Sequence, residues 1–246
     1  MRRSDRSDAG TRTPGTPGTP VSIQSEGHDR TRVSAKLLEG LFEPAILVGA
    51  SAIVSRHTDL LTGEAKLVAG AVESRQREFS TGRVLARQLL QQLNVTDFEL
   101  LRDEDRVPKW PAGIVGSISH TGDLCVVAVA GGAVCRGIGV DVEPDEPVGK
   151  GIEQRVCTPS EIAWLDLGPA ADRGQRCRMI FSVKEAVYKA FYPELREFWG
   201  FQDVSVKLDP AAQCFTARPP ASGGVASVEG RLLRRAGWLI AGVTIR

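Results

Sequence analysis

No apolar run in the 246-residue sequence approaches the roughly 20 residues needed to span a bilayer, and the basic N-terminus has no apolar signal core. Neither a membrane-embedded nor a secreted protein is therefore expected. An excess of one charge is missing as well: 31 Lys and Arg stand against 30 Asp and Glu, leaving a formal net charge of +1. No global field favours nucleic acid or an anionic membrane, so any anion must be held by local clustering. The five cysteines (Cys125, Cys135, Cys157, Cys177, Cys214) are odd in number and include no Cys-x-x-Cys pair. That speaks against a structural zinc site and against a disulfide framework, and a reducing cytoplasm fits best. Cys125, inside an apolar run, reads as a buried free thiol.

What is present is ordinary for a globular chain, with 42% hydrophobic and 25% charged residues. Either one large domain or two small ones could bury a core at this length. Residues 1–32 carry Thr-Pro-Gly-Thr-Pro-Gly-Thr-Pro and few large apolar side chains. Such a segment cannot offset its ordering entropy and is expected to lack fixed structure. It is Arg-rich and poor in acids, as transit peptides are, but the Pro/Gly repeat would break an amphipathic helix; the plainer reading is a dispensable tail. Structure is expected from Val33 on, with a buried strand over 45–50 and a helical stretch over 64–93 interrupted near Gly70. Phe79, Ala86, Leu89, Leu90 and Leu93 recur at helical spacing and predict its core face. Residues 114–130 read as strand, Gly131-Gly132 as a hairpin turn, and 134–142 as the partner strand. Helical segments from Pro159 and over 179–191 precede four strand-like segments that form a closing meander. The pattern predicts an α+β fold.

Four elements carry chemistry. In Gly137-Ile-Gly-Val-Asp-Val-Glu143, Ile138, Val140 and Val142 alternate with Gly139, Asp141 and Glu143. A strand puts both carboxylates on one face, with Cα atoms about 6.5–7 Å apart at about 3.3 Å per residue. Two such carboxylates repel unless protonated, solvated or cation-bound, and a hard cation such as Mg²⁺ is a natural partner. A solvated acidic face is the alternative. In Phe181-Ser-Val-Lys-Glu-Ala-Val-Tyr-Lys-Ala-Phe191, Glu185 and Lys189 share a helix face at i, i+4, a spacing that also serves as plain surface decoration. Arg75, Arg77, Arg83 and Arg87 lie along one helix, either as a phosphate grip or as a solvated basic face balanced by Glu73 and Glu78. Finally, Pro108-Lys-Trp-Pro-Ala-Gly-Ile-Val-Gly-Ser-Ile-Ser-His120 offers small residues and backbone N–H groups for close approach of a phosphate or an adenine ring. A cation site, a basic face and a backbone cradle point to transfer or hydrolysis at a phosphate ester. The residues alone do not choose the nucleophile.

The four elements, in this order, resemble the phosphopantetheinyl transferase superfamily, in its Sfp and enterobactin synthetase component D class. The resemblance rests on Arg75-x-x-x-Phe79-x-x-Gly82-Arg83-x-x-Ala86-Arg87 and Trp110-Pro-x-Gly-x-x-Gly-Ser-Ile-Ser-His120. It continues in Gly139-Val-Asp-Val-Glu143 and Phe181-Ser-Val-Lys-Glu-Ala-x-x-Lys189, and covers about residues 45–205. Phe181 stands where many relatives carry Trp. The resemblance implies a fold of two pseudo-twofold-related halves, each with an antiparallel sheet and packed helices, here 33–135 and 136–246. Coenzyme A and Mg²⁺ would lie between them, with the first half gripping the nucleotide and 3′-phosphate and the second supplying catalysis. The resemblance also implies the reaction: a serine of an apo carrier protein (acyl, peptidyl or aryl) would attack the β-phosphate of coenzyme A and 3′,5′-ADP would leave, as in holo-[acyl-carrier-protein] synthases. Asp141, Glu143 and Glu185 match the metal ligands, and Glu185 also matches the general base, a role that a metal-held water could take instead. Lys184 and Lys189 match the lysines near the pyrophosphate, with Lys189 stabilising the leaving group. Arg75, Arg83 and His120 match the 3′-phosphate grip, and Ser117 to Ser119 the nucleotide lining. The resemblance thus implies coenzyme A and carrier proteins as partners; no nucleic acid and no membrane are expected. A monomer is expected, since both halves lie in one chain. A Mg²⁺-dependent phosphoesterase and a non-catalytic binding module are the rival readings.

Overall fold

The structure, a computed structural model, describes residues 21–22, 33, 35–149 and 151–246. Its strands are β1 (Val21–Ser22), β2 (Leu47–Ala52), β3 (Ile114–Thr121), β4 (Leu124–Gly131), β5 (Gly137–Pro144), β6 (Ser205–Asp209), β7 (Cys214–Arg218), β8 (Val228–Arg235) and β9 (Trp238–Ile245). Its α-helices are α1 (Thr62–Lys66), α2 (Glu73–Gln92), α3 (Glu153–Val156), α4 (Pro159–Asp166) and α5 (Arg173–Leu195). The interruption expected near Gly70 separates α1 from α2. The unstructured tail expected over 1–32 lies outside the described residues except at Val21 and Ser22, which pair parallel with Gly49 and Ala50 of β2.

Two sheets form, in the orders β1-β2-β4-β3 and β5-β9-β8-β7-β6, antiparallel throughout except for the β1–β2 pair. The fold is α+β, as expected. One pairing differs from the sequence reading. The long apolar stretch over 114–130 is two strands, not one, folded at Gly122, whose φ of +53° suits a residue without Cβ. The segment after Gly131-Gly132 does not return along β4. It crosses to the second sheet, where β5 pairs with β9, Asp141 standing opposite Ala241. Alternation gives each strand a buried face but does not name its neighbour.

Helix α2 buries Leu85, Ala86 and Leu89 against Cys125, Val127 and Val129 of β4, while Val183, Ala186, Val187 and Ala190 of α5 pack on the second sheet. Strand β5 and helix α5 approach unusually closely. A Cβ on Gly139 would overlap the Ala186 carbonyl oxygen, and one on Gly137 would lie 2.6 Å from that of Ala190. The sheets meet edge to edge at β3 and β5 through side chains: the Val140 and Val142 amides donate to Ser117 Oγ (3.1 Å) and Ser119 Oγ (3.3 Å). Hydroxyls of one sheet thus satisfy backbone donors of the other, and the site lies along this seam.

Candidate active site

On the acidic side of the seam, Ile138, Val140 and Val142 are buried in the core, as alternation requires, and Asp141 points the other way although it too is only 3% exposed. Its carboxylate is fully engaged. Oδ1 accepts from Ser119 Oγ (3.0 Å) and Lys189 Nζ (2.6 Å), and Oδ2 from Ser182 Oγ (2.9 Å). Lys189 Nζ also donates to Ser119 Oγ at 3.0 Å. Glu143 pairs instead with Arg178, whose guanidinium donates to Oε2 at 2.8 Å. Glu185 stands on the same face of α5 as Lys189, half-buried, and makes no hydrogen bond or ion pair among the described residues.

The cationic side is a cleft of about 360 Å³, walled by α2, β3, the loop over 102–108 and the last turns of α5. Arg75, Arg83, Ser117 and His120 line it, with Trp110, Tyr188 and Lys189. Arg83 is the unusual member. It is 5% exposed and stacks 4.2 Å over the Phe79 ring. Its guanidinium has no hydrogen-bond or ion-pair partner among the described residues, and Nε is buried and unsatisfied. Burial lowers its pKa to about 10, with Arg75 and Arg102 adding repulsion and Glu64 offsetting part of it. A buried cation without a counter-ion is costly and points to an anion supplied from outside. Arg75 Nη1 lies 3.0 Å from His120 Nε2 and 3.3 Å from Glu78 Oε2. Because a guanidinium only donates, Nε2 is the acceptor and His120 is neutral with its proton on Nδ1, which faces Glu78 at 3.5 Å. Burial holds the His120 pKa below its usual value; Arg75 and Lys189 push the same way, against Glu78 and Asp141.

Not every residue singled out in the sequence is at the site. Lys184 is not beside the cleft. Its ammonium is buried and donates to Glu161 Oε2 (2.6 Å), Val156 O and Phe201 O (2.8 Å each), on the far side of α5. Five residues along a helix rotate a side chain by about 500°, or 140° net, so Lys184 and Lys189 cannot face one ligand together. Burial lowers the Lys184 pKa, and Glu161 opposes that. Arg87 turns away as well and pairs with buried Glu64. Ser119 reaches the acidic side rather than lining the cleft. At Gly116 the missing side chain makes room for the Trp110 indole, which lies 2.7 Å from where a Cβ would stand. The sequence reading missed Ser182 and Arg178. Their signal is spacing, since Arg178, Ser182, Glu185 and Lys189 fall at i, i+4, i+7 and i+11 and make one stripe. It also gave Glu78 only a surface role.

Burial raises the pKa of Glu185, with Asp141 adding to the rise and Lys189 opposing it. Glu143 is raised by burial and by Asp141, against Arg178. No set of three His, Cys, Asp or Glu side chains among the described residues converges to hold a metal ion. Lys189 and Arg178 instead neutralise two of the three carboxylates. The donor set still fits Mg²⁺ in kind: three carboxylates, oxygen only, with Glu185 uncommitted. The geometry can therefore take phosphate groups in the cleft and place them against a lysine and a spare carboxylate.

Fold and site together define an α+β protein with an arginine-lined cleft against an acidic centre. The model of the 4′-phosphopantetheinyl transferase N-terminal domain matches residues 63–130, and that of the 4′-phosphopantetheinyl transferase superfamily matches residues 137–228. The chain is 37% identical over 194 residues to the 4′-phosphopantetheinyl transferase Svp of Streptomyces mobaraensis, covering 76% of this chain and 78% of that relative. It is 33% identical over 159 residues to the 4′-phosphopantetheinyl transferase PptT of Mycobacterium tuberculosis, covering 64% and 69%. Identity to enterobactin synthase component D of Escherichia coli K12 is 30% over 139 residues, covering 55% and 63%. The chain belongs to the 4′-phosphopantetheinyl transferase superfamily.

Proposed function

We propose that this enzyme transfers 4′-phosphopantetheine from coenzyme A to a serine of apo carrier proteins, in the manner of holo-[acyl-carrier-protein] synthases. The observation that carries the donor assignment is Arg83, a buried cation in the cleft wall whose guanidinium has no hydrogen-bond or ion-pair partner among the described residues. Beside it, Arg75 and His120 complete a grip suited to the 3′-phosphate. Ser117 lines the nucleotide from β3. Two sheets, each with one long helix, support a reading of two related halves, 33–135 and 136–246, in a single monomeric chain.

In the reaction the serine hydroxyl attacks the β-phosphorus, a new P–O bond forms, and the bond to the oxygen of 3′,5′-ADP breaks. Glu185 takes the hydroxyl proton. With no hydrogen-bond or ion-pair partner among the described residues, Glu185 is freer to act as base than Asp141, whose oxygens all accept hydrogen bonds; where it holds the ion instead, a water takes that role. Lys189 sits at the junction of the cleft and the acidic centre and neutralises charge on the departing nucleotide. Mg²⁺ would be held by Asp141, Glu143 and Glu185 and would supply further neutralisation of the pyrophosphate.

The test is mass spectrometry of apo carrier proteins incubated with enzyme, coenzyme A and Mg²⁺. A gain of about 340 Da on the carrier serine is expected, the size of the cofactor arm. Release of 3′,5′-ADP without any carrier would replace the transferase by a hydrolase. Glu185→Gln should retain coenzyme A binding and lose transfer; near-normal transfer would remove Glu185 from the mechanism.

A further inference from the structure

The wall of the cleft opposite α2 is a small hairpin over 102–108 that contributes Arg102, Asp105 and Arg106 to the lining. It is tied internally by Asp103: the Asp103 amide donates to Val107 O (3.0 Å), the Val107 amide to Asp103 Oδ1 (2.8 Å), and the Arg106 amide to Asp103 O (3.1 Å). The hairpin therefore behaves as one unit. Its ties to α5 run through Arg196, which ion-pairs with Asp103 and lies 3.5 Å from Asp105. Arg196 also lies 5.9 Å over the Tyr192 ring and donates from Nε to Pro193 O (3.1 Å).

Arg196 occupies an unexpected backbone position. It is the C-cap of α5 with φ +55° and ψ +25°, a left-handed conformation that suits Gly and disfavours a side chain carrying Cβ. The chain accepts that strain, and the guanidinium is thereby directed at the hairpin. The pair is partly exposed, 44% for Arg196 and 17% for Asp103. Such partly exposed ion pairs are weak.

We propose that Arg196 is a positioning residue for coenzyme A: by clasping Asp103 and Asp105 it holds the 102–108 hairpin against the cleft and slows release of the ligand, without touching the reacting atoms. This rests on coenzyme A being the ligand of the cleft.

The variant R196G removes the clasp while relieving the left-handed strain. Coenzyme A release, read by stopped-flow displacement of a fluorescent coenzyme A analogue, is expected to quicken about five- to tenfold. KM for coenzyme A should rise in proportion, with kcat at saturating coenzyme A within about twofold of wild type. The thermal midpoint should equal or exceed that of wild type. Unchanged release and KM in R196G would overturn the proposal, as would an affinity loss matched by a fall in the thermal midpoint. A wild-type protein that binds no coenzyme A would overturn the functional reading and this proposal together.

Discussion

Arg83 shows how a single side chain can trade stability for binding. Buried with no hydrogen-bond or ion-pair partner for its guanidinium among the described residues, it costs the ligand-free protein the desolvation of a charge, a cost that an anion bound as proposed would offset. R83M should therefore melt higher than wild type and bind coenzyme A about 30- to 100-fold more weakly, the loss of one charge-assisted contact of about 2–3 kcal/mol. Calorimetry and a binding titration on the same sample check both signs. His120 carries a second expectation. Burial lowers its pKa from the usual 6.5, so the free site is neutral near pH 7. A phosphate dianion favours the imidazolium, so binding should take up a proton, and affinity should rise as pH falls from about 7 to 6. Titrations in buffers of different ionisation enthalpy would measure that uptake, and H120A should abolish it. In the ligand-free protein the sign reverses. The unfolded chain takes up the proton first, so the stability this neutral His120 gives above its ordinary pKa is lost as pH falls through the lowered value.

At the scale of the element, α5 divides its faces between structure and chemistry. Lys184 and Glu161 form a buried pair, each only 2% exposed, and Glu161 also caps α4 by accepting from the Thr158 amide (2.7 Å) and receives the Val206 amide (2.6 Å). K184M should destabilise by about 3–5 kcal/mol, because it leaves a carboxylate buried and unpaired. K184M/E161Q, with no buried charge, should recover part of the loss. Coenzyme A affinity should stay within about twofold in both, as urea melts and titrations would show. Of the α5 stripe the sequence yields Glu185 and Lys189 at i, i+4; Arg178 and Ser182 stand at the same helical spacing and are recognised only once the structure shows what that side meets. The family resemblance draws Lys184 toward the ligand whereas the helix turns it away, and the apolar alternation of β5 reads as the partner of β4 whereas it pairs with β9. Periodicity encodes which residues hide. Which neighbour hides them is settled by long-range packing that no local window contains.

At the scale of the molecule, the site exists only where the two sheets adjoin. Ser119 on β3 hydrogen-bonds Asp141 on β5, and Lys189 on α5 reaches both. A ligand lying along this seam contacts both sheets at once. Coenzyme A at 100 times its Kd should thus stabilise the chain by about 2.7 kcal/mol and raise a single melting transition. A shift confined to one of two resolved transitions would mean the ligand touches one half alone. Among the described residues no helix is long and apolar enough to cross a membrane.

The close approach of β5 to α5 has a consequence for any survey of tolerated substitutions. Gly137 and Gly139 have no side chain with which to grip a ligand or move a proton. Yet a methyl at either position would press on a helix carbonyl and drive apart the two elements that bear Asp141 and Lys189. In a saturation library scored by carrier modification, both columns should be as empty as that of Asp141. Ranked by tolerance alone, a spacer made of missing atoms would be indistinguishable from the catalytic apparatus, and only a binding or stability readout would separate them.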